Sequence, residues 1–380
     1  MASESMTAEE RVQSAIRLEK PDRVPIAPLL TQEPVACLAG LTPADVADDN
    51  EVALSAFLKV FDKFGGWDTV FGGTITSPER QALGTYPMKI RVPGKELPDD
   101  YRSQLVEEEI LQLDDYDKIA EMGMEEFFNQ DYLWRITDTK PDDIRLLREK
   151  ATTGLSRHKE ALVKLGVKPI AATGISHPFF RLCLMRSLVA FTQDLYYNPE
   201  PVERAIRRMT TDLIAKLIPI VKASGINRWL FTEERASCCY YPLPIFERFW
   251  WTYTKEIVDA FWSEGIVTVF HLDTCWEKNL PYFRKLPRGS AVLQLDSTTD
   301  IFQAKELLRG HLCLYGDIPA SLFSIGSVEE IEDYCRKLID EIGGDGGFIL
   351  GTGCAVPGEC KPENFRAMID TGKNYEFSTR

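Results

Sequence analysis

Eight short apolar runs, spread over 380 residues, limit what this chain can fold into. They are VPIAPL (24–29), WDTVFGG (67–73), KPIAATG (168–174), NRWLFTEE (227–234), IVTVFHLD (266–273), SAVLQLD (290–296), LCLYGDI (312–318) and GFILGTGC (347–354). Most are β-branched or aliphatic and end in Gly, Asp, Glu or His. Strands that are apolar on both faces belong in a parallel sheet covered by helices. Amphipathic segments lie between them. Glu200–Ser224 carries Val202, Ile206, Met209, Leu213, Leu217 and Val221 at helical spacing, with Asn198-Pro199 before it and Gly225 after it. Ile245–Glu264 and Ser327–Ile342 repeat the rhythm.

Eight strands alternating with helices predict an α/β fold, a (β/α)8 TIM barrel, with an N-terminal helical extension. The stretch 74–167 must hold insertions or extra helices. Barrels of this length run as one domain, so 1–380 reads as a single unit. An open doubly wound sheet is the second architecture. No G-x-G-x-x-G follows a strand, so its dinucleotide-binding version lacks the fingerprint.

The net charge of −14 and the absence of a basic cluster argue against nucleic acid. The N-terminus has no apolar signal core, and no run reaches the roughly 18 apolar residues of a membrane span. Nine scattered cysteines do not form the disulfide framework of a small secreted domain. These features predict a reduced, cytoplasmic protein with thiols free for metal or chemistry.

In a barrel, function gathers at the C-terminal ends of the strands. Those positions carry Glu233 and Glu234, His271 and Asp273, Asp296, Asp317 and Cys354. Imidazole with thiolate favours zinc, and a catalytic zinc keeps three protein ligands and one open position. His271 and Cys354 are the first two candidate ligands; the third is Asp273 or Glu233. His271 and Asp273 are also the candidate catalytic residues. His177, Phe179, Trp229, Asp296 and Asp317 are the candidate substrate-binding residues, with Trp67, Phe71, Phe180 and Trp276 as further pocket walls. Bland roles compete: a strand-end histidine is more often hydrogen-bonded than ligating, and His177 serves equally well in a structural role. Cys275 falls past its strand, Cys238-Cys239 reads as packing, Cys313 as core, and Cys360 ranks behind Cys354. His158 and His311 read as surface residues, and Trp250-Trp251 as helix packing.

Several stretches resemble the uroporphyrinogen decarboxylase superfamily: ERVQSAIRLEKPDRVPIAP near the N-terminus, DLYYNPEPVERAI (194–206), FTEERAS (231–237), VTVFHLD (267–273) and GTGCAVPGECKPENFRAM (351–368). The resemblance spans nearly the whole chain, in order, and implies a (β/α)8 barrel. True decarboxylases carry an arginine-rich RQAGR motif near the N-terminus. Here no arginine stands between Arg23 and Arg80, which turns the resemblance toward the corrinoid-dependent methyltransferase branch. That branch binds zinc through H-x-C and a distant cysteine in a G-C-x-x-P context. His271 and Cys354, the latter in Gly353-Cys354-Ala355-Val356-Pro357, match. Asp273 replaces the middle cysteine, and Glu233 stands where relatives often have aspartate.

A carboxylate in place of a thiolate leaves zinc a stronger Lewis acid, suited to an ether or hydroxyl oxygen. The resemblance then implies transfer of a methyl group from a small donor, a methyl ether with aromatic ethers among the options, to cobalt(I) of a corrinoid (cobalamin). A separate corrinoid protein carries that cobalamin, because the D-x-H-x-x-G signature is absent from this chain. The alternatives are a methylcorrinoid:thiol or folate methyltransferase, a metal-free decarboxylase-like lyase, and a non-catalytic binding protein. A homodimer is compatible with the sequence.

Overall fold

The structure, a computed structural model, describes residues 5–376. Eight parallel strands are numbered here in chain order. β1 is Ile26–Ala27 continued as Leu29–Leu30, β2 is Thr69–Gly72, and β3 is Lys168–Pro169 continued as Gly174–Ser176. β4 is Arg228–Glu233, β5 Val267–Leu272, β6 Ala291–Leu295, β7 Cys313–Ile318 and β8 Phe348–Thr352. Both interrupted strands switch partners at the break. β1 pairs with β8 through Ile26–Ala27 and with β2 through Leu29–Leu30. Pro28, which has no N–H to give, sits at that changeover, and its carbonyl accepts from Phe71 N at 3.2 Å. β3 pairs with β2 through its first part and with β4 through its second. β4 to β8 pair in sequence order, each parallel to the next. The pairing therefore passes through all eight strands and returns to its start, as a barrel requires.

Alternation along each strand sorts side chains into two layers. Leu230, Val269, Val292, Tyr315 and Ile349 pack inside the barrel with Ala27 and Ile170. Trp229, Phe231, Phe270, Leu293 and Leu314 face the helices in a second, larger core. Both faces are buried, which is why the strands read as unbroken apolar runs.

The helices follow their stripes. Pro199–Ser224 buries Val202, Ile206, Met209, Leu213, Leu217 and Val221, and Gly225 ends it at φ +73°. Ser327 and Glu330 form a reciprocal cap on Val328–Leu338, a device that stabilises by about 1 kcal/mol. The expected helix 245–264 instead begins at Leu243 and passes through a wide turn at Glu247–Trp251 before Thr252–Ser263. The N-terminal extension is the helix Ala8–Ile16. The insertion 74–167 contains an antiparallel pair, Lys89–Arg91 with Gln104–Val106, and the long helix Pro141–Lys164. At the N-terminal end of the barrel, Asp68 accepts from Arg11 Nη1 (2.5 Å), Arg23 Nη1 (2.7 Å) and the Ile26 amide (2.8 Å). It pins the extension to β1 and β2.

His158, expected at the surface, is buried: the helix 141–164 turns it edge-on against Phe57, with ring centroids 5.0 Å apart. His311 is half-buried and bonds the Leu286 carbonyl at 3.0 Å. All nine cysteines are free thiols. No helix among the described residues is long and apolar enough to cross a membrane.

Candidate metal centre

β5 brings Val267, Val269 and His271 to the barrel interior, so alternation aims His271 into the mouth. Asp273 follows one step beyond the strand, and Cys354 follows β8. His271 Nε2 lies 3.4 Å from Asp273 Oδ2, and Cys354 Sγ lies 3.9 Å from the same oxygen. Among the described residues, this trio is the single group of three or more such side chains whose donor atoms all lie within 4.8 Å of one another.

Tetrahedral zinc with bonds of about 2.0–2.3 Å sets its donors roughly 3.3–3.8 Å apart. The His271–Asp273 separation falls within that spacing, and the Cys354–Asp273 separation lies just above it. Asp273 Oδ1 is buried without a hydrogen-bond partner, an arrangement that costs free energy unless a cation or donor meets it. One nitrogen, one carboxylate and one sulfur form a borderline-soft set that suits zinc. The residues present therefore fit the ion.

The imidazole is oriented from behind. Gln294 Nε2 donates to the Thr352 carbonyl at 3.0 Å, which turns its Oε1 toward His271 Nδ1 at 2.8 Å. Nδ1 must then carry a proton, which leaves Nε2 as the ring atom that faces Asp273 and Cys354 and can take either a second proton or a cation. The Phe71 ring stands edge-on to the imidazole at 5.3 Å. Burial by itself lowers the His271 pKa, but Asp273 and then Cys354 outweigh burial and raise it well above the usual value. Burial pushes the Asp273 pKa up, and His271 beside it holds it below the ordinary range. A cation bound between them takes the place of the shared proton.

Local backbone geometry positions the other two side chains. Thr274 adopts φ +69°, a strained conformation for a β-branched residue. Four hydrogen bonds hold it there. Its amide donates to Asp296 Oδ2 (2.6 Å), its hydroxyl reaches the Glu234 carbonyl (3.0 Å) and Ser237 Oγ (2.7 Å), and its carbonyl accepts from Thr299 (3.2 Å). Gly353 lets β8 approach the end of β6: a Cβ there would lie 2.9 Å from the Asp296 carbonyl carbon. A side chain at 353 would move Cys354.

The structure places the other candidates elsewhere. Glu233 is buried on the helix-facing side of β4. Its Oε1 accepts from the amides of Glu234, Arg235 and Ala236, and its Oε2 from Trp250 Nε1 at 2.7 Å. Burial raises its pKa to about 8 against these donors. It shapes the loop and stands outside the trio. Glu234 is the carboxylate turned toward the mouth; burial, then the Asp273 charge, raises its pKa. His177 is fully buried behind the barrel, where Nδ1 accepts from the Phe179 amide at 3.0 Å and the ring packs on Phe231 and Trp250. Burial pushes its pKa well down.

Phe179 lies in the core against Phe191 and Tyr241, and Trp229 stacks on Phe261 at 4.2 Å. Neither borders the trio. Asp296 braces Thr274 and Thr298. Asp317 accepts from Tyr334 Oη at 2.9 Å, and burial raises its pKa to about 7. Trp67, Phe180 and Trp276 are core residues; of the expected aromatic walls, Phe71 touches the trio. Gln294 and Thr274 are absent from the sequence reading. A lone amide in the apolar strand SAVLQLD is the signal that marks Gln294, because a buried amide demands partners.

The family model for uroporphyrinogen decarboxylase (URO-D) matches residues 133–375. A methylcobamide:CoM methyltransferase of Methanosarcina mazei is 24% identical over 132 residues, 35% of this chain and 37% of that protein. A uroporphyrinogen decarboxylase of Syntrophotalea carbinolica is 24% identical over 206 residues, 51% of this chain and 56% of its own length. The matches thus span from about a third to about half of these curated relatives. Among solved structures, a methyltransferase from Methanosarcina mazei shares the fold with a TM-score of 0.69 at 14% identity, over 97% of this chain and 98% of that one. The family match covers well over half the chain, from the inserted helices to the last helix, and contains His271, Asp273 and Cys354. This chain belongs to the uroporphyrinogen decarboxylase family.

Proposed function

We propose that the protein is a methyltransferase that moves a methyl group from a small methyl ether, aromatic by preference, to cobalt(I) of a corrinoid held by a separate protein. The observation that carries this reading is the His271–Asp273–Cys354 group, in which a carboxylate stands beside a single cysteine sulfur. Family membership and the named activity of one relative, a methylcobamide:CoM methyltransferase, support the corrinoid methyl-transfer part of this reading.

His271, Asp273 and Cys354 would hold zinc. Bound there, zinc supplies Lewis acidity to the leaving oxygen of the donor, and a ligand set with one thiolate leaves it more acidic than one with two. In the overall reaction the ether C–O bond breaks, its electron pair stays on oxygen, and cobalt(I) provides both electrons of the new C–Co bond. Gln294 keeps the imidazole in one tautomer and one orientation. The Phe71 ring offers an apolar wall against which a donor can lie. Glu234 is a protonatable carboxyl on the same mouth. The remaining contribution is positioning, since a group held at the right angle recovers much of a bimolecular barrier.

The test uses free cob(I)alamin with an aryl methyl ether under anaerobic conditions. The expected result is one phenol released per methylcobalamin formed, lost in His271→Ala and Cys354→Ala. If methylcobalamin instead methylates a thiol and ethers stay intact, the ether reading fails. An absence of both reactions in zinc-loaded protein rejects the methyltransferase reading.

A further inference from the structure

We propose that Cys238 and Cys275 form a redox-responsive dithiol, whose oxidation to a disulfide ties the loop after β4 to the loop after β5. The sequence gives no hint of this pairing, because the two residues are far apart in the chain. The fold brings them together. Cys238 Sγ lies 3.2 Å from the Cys275 carbonyl oxygen, and Cys239 Sγ lies 3.8 Å from the same atom. A carbonyl oxygen sits about 2.4 Å from its own Cα, so the Cys238 sulfur is within about 5.6 Å of the Cys275 Cα. That is inside the range a side-chain rotation and a small loop shift close to disulfide geometry.

Other bonds already draw the loops together. The Cys238 amide donates to Asn279 Oδ1 at 2.9 Å, and Ser237 Oγ meets Thr274 Oγ1 at 2.7 Å. Cys238 and Cys275 are half-buried and Cys239 is exposed, while Cys183, Cys313, Cys335 and Cys360 are buried. Cys238, Cys239 and Lys278 line an open cavity of about 530 Å³, large enough for a small thiol reagent.

The chemistry is thiol–disulfide exchange with a low-molecular-weight disulfide. The Cys238 thiolate attacks one sulfur of the external disulfide, and the other sulfur leaves as a thiolate. The Cys275 thiolate then attacks the Cys238 sulfur, and the second external thiolate leaves. Two protein thiols give up two electrons and two protons, and the external disulfide becomes two thiols. The new bond spans the two loops that carry Glu234 and Asp273, so oxidation stiffens one side of the mouth.

The intact protein is equilibrated in glutathione buffers from fully reduced to fully oxidised, alkylated, digested and mapped by mass spectrometry. Hydrogen exchange over residues 273–279 is measured at both ends of the series. The expected result is a Cys238–Cys275 linked peptide that appears in one two-electron transition. It disappears in Cys238→Ser and in Cys275→Ser and persists in Cys239→Ser. Exchange over 273–279 slows by roughly tenfold on oxidation. Mixed glutathione adducts alone, a link that survives Cys238→Ser, or unchanged exchange in the bridged form would overturn the proposal.

Discussion

Replacing Gln294 with leucine separates what holds the candidate metal centre from what holds the barrel. Gln294 is fully buried. Its two hydrogen bonds, 2.8 Å to His271 Nδ1 and 3.0 Å to the Thr352 carbonyl, use both ends of the amide. Leucine fills most of the volume but leaves a buried imidazole N–H and a buried carbonyl without partners. Each orphan costs about 1–3 kcal/mol, so the urea midpoint should fall by the equivalent of about 2–6 kcal/mol. The imidazole also loses its fixed tautomer, and removing such a supporting contact weakens metal binding by about 10–100-fold. Gln294→Glu is the informative partner. It keeps an acceptor for Nδ1 but loses the donor to Thr352, so stability should fall while zinc affinity stays within about tenfold of wild type. Affinity is read by competition with a chromophoric chelator, on protein that circular dichroism shows to be folded. Zinc affinity unchanged in the leucine variant would refute the argument that Gln294 orients the ligand.

Two further predictions concern the frame. The His158 pKa is pushed down to about 4 by burial, so the unfolded state takes up this proton first. Stability is full above about pH 6.5 and falls as pH drops through 6.5 toward 4, by about 2 kcal/mol at pH 5 from this residue. Urea midpoints at pH 7.5 and pH 5 should converge in His158→Phe, apart from a slope of the same sign from His177. An undiminished pH dependence in that variant would sink the assignment. Asp68→Ala removes the carboxylate shared by Arg11 and Arg23 at the far end of the barrel and should cost about 3–5 kcal/mol. Metal content per folded chain should not change; a variant that loses both would place Asp68 in the site's support.

The fold was legible because burial on both faces writes each strand as an apolar run. The two interruptions were not, since a change of partner at Pro28 or between Pro169 and Gly174 depends on neighbours across the sheet. The antiparallel pair inside 74–167 was hidden for a similar reason: its strands, Lys89–Arg91 and Gln104–Val106, are short and bury no residue fully. In the site, His271, Asp273 and Cys354 stood out as chemistry-bearing residues at strand ends. Choosing between Glu233 and Glu234 needed the phase of alternation on β4. Trp229-Leu230-Phe231 is apolar throughout, so nothing in the sequence says which of the two carboxylates faces the mouth. Trp229 misled in the same way, since a large aromatic at a strand end fits the outer helix layer as well as a pocket. Asp296 looked like a site carboxylate because of its position. Its role as a brace for Thr274 follows from contacts between different loops.

The most direct test of the account is the zinc content of the purified protein, measured beside His271→Ala, Asp273→Ala, Cys354→Ala and Glu233→Gln. The account predicts about one zinc per chain in the wild type and in Glu233→Gln, with most of it lost in the other three. A folded wild type that neither contains zinc nor takes it up at micromolar concentration would contradict it, as would a Glu233→Gln variant that loses metal while Asp273→Ala retains it.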